Sequence, residues 1–167
     1  ATRITSPTLA KIPIGSNIHV DLLSTSVHAA QRVHYGYEAA HLLLGYFGFL
    51  NRSKGGLTLI RTLHTLVQQG YDAHLLMIGE RVGASDSTNY AYWQEVEALI
   101  QKLQMTDRVQ WTGHLADREV SHTLQLVDVL VMPYDDGASL RRGTLIAGLA
   151  HGCAVVTTTP QSPLPEL

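Results

Sequence analysis

From residue 42 onward the apolar positions switch between two periods. Leu42-Leu43-Leu44-Gly45-Tyr46-Phe47-Gly48 is a nearly continuous apolar run. Such a run predicts a strand buried on both faces. The polar turn 49–56 leads into a helix with Leu59, Ile60, Leu63, Leu66 and Val67 at helical spacing, and Gly70 stops it. His74 to Ile78 predicts a second buried strand, ending at Gly79-Glu80. After a polar loop, Val82 to Ser87, a helix carries Tyr92, Val96, Leu99, Ile100 and Leu103 along one stripe. Arg108 to Gly113 alternates, which places a third strand nearer the edge of a sheet. Asp117 suits the N-cap of a helix using Val120, Leu124 and Val127. Val129 to Pro133 is a fourth apolar strand. A helix over Leu145 to Ala150 and a last strand at 154–157 close the pattern.

Four strand-to-helix repeats in a row predict an α/β fold, a Rossmann-like doubly wound parallel sheet. The flanks carry less pattern. Residues 1–10 are polar and unpatterned, and Lys11 to Asn17 is a short extended piece biased by Pro13. Over 18–40, Ser24 or Ser26 suits the cap of a short helix through Arg32, and the stretch reads as a connector outside the core. After Thr159 come Pro160, Pro163 and Pro165, with no helix to follow the last strand. One sheet-covering helix is therefore missing from the pattern. That predicts exposed apolar surface beside 154–157 and self-association.

Composition narrows the class. The 167 residues are 45% hydrophobic and 16% charged, ordinary for one globular domain. A net charge of -2 gives no basic field for nucleic acid. Cys153 is the single cysteine, which excludes an internal disulfide and fits a reducing, cytoplasmic setting. No apolar run approaches a membrane span, and no signal peptide opens the chain. The start at Ala1 reads as that of a fragment or processed product. The nine histidines show no metal-ligand spacing, so no metal site is expected.

The candidate chemistry gathers where strands give way to helices. Ligands of parallel sheets sit beyond the carboxyl ends of the strands, where free helix N–H groups favour an anion. The turn from Tyr134 to Gly143 has this placement, with Ser139 as the expected helix cap and Arg141 and Arg142 beside it. Lys54, at the turn after the first strand, supplies a second cation. Asp135 and Asp136 are adjacent, so their carboxylates point apart and do not form a spaced metal pair. Each feature has an alternative: Lys54 as solvated surface, Arg142 as the ion-pair partner of Asp135 or Asp136, and Asp136 as a turn residue.

Five motifs together carry a resemblance. They are Ile12-Pro13-Ile14-Gly15, Gly48 with Lys54-Gly55, Thr112-Gly113, Asp128 to Pro133, and Leu149-Ala150-His151-Gly152-Cys153-Ala154-Val155-Val156. This set resembles the C-terminal, donor-binding domain of a family-four glycosyltransferase with the GT-B fold. The resemblance implies an interdomain segment over 1–18 and a C-terminally truncated nucleotide-sugar-binding domain over 19–167. It implies transfer of a sugar from a nucleoside-diphosphate sugar by this domain as part of a longer chain, the fragment alone being inactive, with retention of configuration and without a metal or other cofactor. A saccharide or lipid-linked acceptor would bind through an N-terminal domain. By that resemblance Lys54, Arg52, Ser139, Arg142 and Gly143 surround the diphosphate. The family's two turn glutamates fall on Ser139 and Ala147 here, and its first-turn arginine on Phe49. Asp136 is the carboxylate left to stand in as the catalytic acid, and Arg52, Arg141 or Arg142 as the lost cation.

Two other classes compete. One is a glycosyltransferase-like domain without catalysis, serving as scaffold or binding module, which the absent glutamates allow. The other is a dinucleotide-dependent oxidoreductase. Against the latter, no Gly-x-Gly-x-x-Gly turn follows any strand, and Lys54 lacks the neighbours of a Walker turn.

Overall fold

The apolar run at 42 forms the middle of the sheet because nothing in it needs water. The computed structural model describes residues 14–81 and 87–163. Strand β1 spans Leu42–Phe47, and Leu43 and Tyr46 in it have no exposed surface. It pairs in parallel with β2 (Ala73–Ile78) on one side and β4 (Val129–Met132) on the other. Strand β3 (Val109–Trp111) adds to β2, and β5 (Val155–Thr157) to β4. The order is β3-β2-β1-β4-β5, all parallel, so the alternating third strand does lie at an edge.

Helices cross between the strands as the periodicity predicts. They are α2 (Gly56–Gln68), α3 (Ser87–Lys102), α4 (Asp117–Leu124) and α5 (Gly143–Ala150). Their apolar stripes cover the sheet: Leu59, Ile60 and Leu63 from α2, Val96 from α3 and Leu124 from α4 are fully buried. The cap of α4 differs from expectation. Ala116 is the capping position, Asp117 is the first helical residue, and Glu119 accepts from the Ala116 N–H at 2.8 Å.

Residues 18–40 are not the loose connector that their sequence suggests. Helix α1 (Thr25–His34) is capped by Ser24, whose hydroxyl accepts from the Val27 N–H at 3.4 Å. Its Arg32 is only 8% exposed. One guanidinium nitrogen donates to the Leu126 carbonyl at 3.1 Å and to the Asp128 carboxylate at 2.9 Å. The other donates to the His41 carbonyl at 2.9 Å. Asp128 in turn accepts from the Leu43 N–H at 2.7 Å. One charge pair, buried on its arginine side, thus ties α1 to the amino ends of β1 and β4. Ahead of α1, Asp21 binds Arg118 and His122 of α4, and Gln125 bonds the backbone at Asp21 and Leu23. Ile18 and Tyr37 join the core. Polar latches replaced the apolar periodicity that would have announced the contact.

The far edge meets the expectation of apolar exposure. Val156 on β5 is 57% exposed, and no strand pairs with the outer side of β5 among the described residues. An open apolar edge strand invites edge-to-edge pairing. Sedimentation is therefore expected to show concentration-dependent association, which Val156→Lys reduces. An equally associating variant would place the contact elsewhere. Trp93 and Trp111 are half-buried and flank the Arg81 guanidinium, each ring centroid 5.5 Å away. Cys153 packs as expected: it is half-buried, its thiol donates to the Leu124 carbonyl at 3.2 Å, and burial pushes its pKa up.

Candidate functional site

The sheet order reverses between β1 and β4, and their carboxyl ends lie side by side there. Open α/β sheets form a crevice at such a point. Here it is a cleft of about 470 Å³, walled by Gly48, Lys54, Glu80, His114, Arg142 and Gly143 among others.

Backbone geometry brings the two turns of the cleft together. Gly55 has φ 68°, and a Cβ on it would lie 1.8 Å from the Pro133 carbonyl oxygen. The turn after β1 therefore rests on the end of β4, and the Asp135 N–H donates to the Ser53 carbonyl at 2.9 Å. Gly48 has φ 107°; a Cβ there would stand 2.9 Å from Thr144 Cγ2 and 3.1 Å from Lys54 Nζ. Bare backbone at Gly48 is thus the floor over which Lys54 and the first turn of α5 approach one another.

Lys54 ends a short 3-10 turn, Arg52–Lys54, and is half-buried. Burial first, and the Arg142 guanidinium second, pull its amine below the ordinary lysine range. No carboxylate pairs with it among the described residues. Across the floor, α5 begins at Gly143 with no side-chain cap. Its first N–H groups have no intrahelical acceptor, so they face the cleft with the positive end of the helix dipole. An unpaired ammonium and a bare helix N-terminus on one floor form a site for an anion with more than one oxygen to bind.

The arginine on the rim is fixed. Arg142 donates to both carboxylate oxygens of Asp136, and its Cζ lies 4.7 Å from the Tyr134 ring centroid. Tyr134 is buried, with its hydroxyl 3.3 Å from Thr144 Oγ1. Burial chiefly pushes that phenol above its usual range. Asp136 therefore neutralises the arginine that it positions, and Lys54 is the cation of the floor that no carboxylate pairs with among the described residues.

The remaining expected residues are divided between locations. Gly143 and Arg142 line the cleft with Lys54. Ser139 and Asp136 line an adjoining hollow instead, on the other side of the Arg141–Arg142 wall. Ser139 does not cap α5: the capping position is Arg142, and the Ser139 hydroxyl accepts from the Arg141 N–H at 3.3 Å. The helix starts at a glycine three residues later than the serine invites. Arg52 turns away to pair with Glu95 of α3 at 2.6 Å, over the Tyr92 ring. Only the three-dimensional approach of α3 provides that partner.

Sequence reasoning gave neither His114 nor Glu80, both walls of the cleft, a part in the site. Both follow strand ends directly, so the carboxyl-end rule applied to every strand would have found them. Asn17 and Ile18 also reach the cleft, from a segment read only as an interdomain connection. The motif residues Ile12 and Pro13, the loop 82–86 and Pro165 lie outside the described residues.

The strand order, with a cleft at its reversal, defines a Rossmann-like α/β domain. Residues 41–167 match the glycosyl transferases group 1 family, and the chain belongs to that family. No curated protein matches it. Among solved structures it is similar to HepE of Anabaena in complex with UDP and glucose, at 19% identity and TM-score 0.67. That match covers 84% of this chain and 40% of that one. WaaG, a glycosyltransferase of lipopolysaccharide biosynthesis, matches at 20% identity and TM-score 0.68, over 87% of this chain and 36% of that one. The C-terminal domain of LpcC from Francisella tularensis matches at 16% identity and TM-score 0.65, over 86% and 69%. The fold is that of the C-terminal domain of GT-B glycosyltransferases, and this chain spans about two fifths of the first of these relatives.

Proposed function

We propose that this chain is the donor-binding half of a glycosyltransferase that takes sugar from a nucleoside-diphosphate sugar, with retention, and passes it to an acceptor held by another domain. The observation that supports it is the half-buried Lys54, unpaired, facing the uncapped start of α5 across Gly48. A glycosidic bond to a diphosphate breaks with negative charge growing on the leaving oxygen. Cations and N–H groups fixed at that oxygen stabilise the transition state more than the ground state. Lys54 supplies the point charge, and Gly143 and Thr144 the N–H groups. Arg142, held by Asp136, adds a forked donor at the rim. On this reading Asp136 is a positioning residue. A metal is not needed, because fixed cations do its electrostatic work. A reducing, cytoplasmic setting suits the free thiol of Cys153.

The test is titration calorimetry with UDP, GDP and ADP, at neutral pH and at alkaline pH in two buffers of different ionisation enthalpy. Binding of at least one of them is expected, in the micromolar to millimolar range. The sign of the pH effect follows from Lys54. Its amine is depressed in the free protein, so its charge, and with it affinity, is lost earlier than usual as pH rises. A bound diphosphate raises that pKa again, so binding takes up a proton on the alkaline side.

A second reading is favoured by one observation. Ser139 and Ala147 occupy the two glutamate positions, and Ala147 has no exposed surface. A domain so altered serves as a scaffold without catalysis. Absence of all nucleotide binding at millimolar concentration would decide for it.

A further inference from the structure

The far end of the sheet, away from the cleft by the length of β1 (about 20 Å for six residues), holds a second cluster. The geometry points to a binding site there for one divalent transition metal of the zinc class, formed by His41, Asp72 and His74 and guarded by Arg108. Parallel pairing of Leu42 with Ala73 brings His41 level with Asp72. Asp72, just ahead of β2, and His74 on that strand are two apart and share one face with His41. The three ligand-bearing atoms lie within 4.8 Å of one another.

The distances carry the argument. His74 Nε2 is 3.4 Å from Asp72 Oδ1, and His41 Nε2 is 3.5 Å from Asp72 Oδ2. Ligands of a tetrahedral zinc ion with bonds of ~2.0–2.1 Å stand about 3.3–3.4 Å apart. Two imidazoles and a carboxylate suit zinc and its neighbours better than calcium or magnesium. The rings are held in place: the edges of Tyr37 pack on both, with centroids 6.4 Å from His41 and 5.5 Å from His74. Both imidazoles are half-buried, and Asp72 leaves an open side toward solvent.

The cation already there is a guanidinium. Arg108 Nη1 donates to Asp72 Oδ1 and lies 3.0 Å from His74 Nε2. Two lone pairs thus converge on a positive charge, and a metal ion competes with it for them. The Arg108 side chain is 33% exposed, so its way out toward solvent is open once the ion displaces it from Asp72 and His74. His41 must also give something up. The Glu38 N–H donates to its Nδ1 at 3.1 Å, so the neutral ring carries its proton on Nε2. Coordination through Nε2 moves that proton to Nδ1 and breaks the Glu38 bond. The register of two strands assembles this group from residues 33 apart in sequence, which is why no local histidine spacing reveals it.

Zinc titration of the untagged protein, with cobalt absorption as a second readout, tests the site. One zinc per chain is expected. Arg108→Ala is expected to bind about tenfold tighter, since the competitor is gone. His74→Ala and Asp72→Asn are expected to bind at least about tenfold weaker, while His64→Ala on α2 is unchanged. Circular dichroism checks each fold; if His74→Ala does not fold, the exposed Asp72→Asn carries the comparison. The site is overturned if neither the parent nor Arg108→Ala binds zinc at millimolar concentration, or if Asp72→Asn binds as the parent does. Weaker binding by Arg108→Ala overturns the displacement. Nucleotide affinity is independent of these outcomes.

Discussion

Lys54→Ala is expected to weaken nucleoside diphosphate binding by about ten- to a hundredfold, because it removes a half-buried cation of the cleft floor that no carboxylate pairs with among the described residues. A hydrogen bond to a charged group contributes about 1.5–3 kcal/mol, and roughly 1.4 kcal/mol is tenfold in affinity. Burial adds to the effect, since a half-desolvated ammonium gains more from an anion than a solvated one. Folding should be unharmed, because the charge is a cost to the free protein and not a support. The variant should also lose the alkaline fall in affinity and the proton uptake. Arg142→Ala is the comparison. Its guanidinium is neutralised by Asp136, so its loss should cost less than that of Lys54. Calorimetry on the parent and both variants checks the order. Equal binding by parent and Lys54→Ala would move the diphosphate away from this floor, and a larger loss for Arg142→Ala would move it to the rim.

Gly55→Ala should destabilise the fold by at least about 3 kcal/mol. A left-handed backbone costs an L-residue about 1–2 kcal/mol. The remainder comes from contact: the new methyl would sit 1.8 Å from the Pro133 carbonyl oxygen, and backbone on both sides must separate to admit it. That separation opens the junction of β1 and β4, so nucleotide affinity should fall together with the denaturation midpoint. Gly70→Ala is the control. It shares the positive φ, at 89°, but has open space around the position, so only the smaller conformational cost should appear. Chemical denaturation of the two variants separates strain from collision. Equal losses would mean that the turn yields easily and does not brace the cleft.

The sequence made the layers legible and the latches illegible, for a physical reason. Buried strands such as Leu42–Phe47 announce themselves because both faces must be apolar. Helices α2 to α5 announce themselves through stripes. Arg32 carries no such sign, since its burial depends on Asp128, 96 residues away. The cleft was half legible. Lys54 and Gly143 followed from where strands end, and the facing of the two turns followed from the expected adjacency of β1 and β4. Arg52 and Ser139 were placed by local habit, and longer-range partners overrode it: Glu95 took the arginine, and a later helix start bypassed the serine. The cluster of His41, Asp72 and His74 depends wholly on strand register, which composition and spacing do not encode.

The latch between Arg32 and Asp128 also sets a clock for synthesis. At about 5–20 residues per second, roughly 5–20 s pass between the two residues leaving the ribosome, with 96 residues of chain between them. Throughout that interval β1 can pair with β2, but its other edge, where β4 belongs, faces solvent unpaired. Leu43, Leu44 and Tyr46 then wait on a nascent chain with half their neighbours missing, and α1 has nothing to dock on. A newborn chain of this protein thus carries half-covered apolar surface until Asp128 arrives.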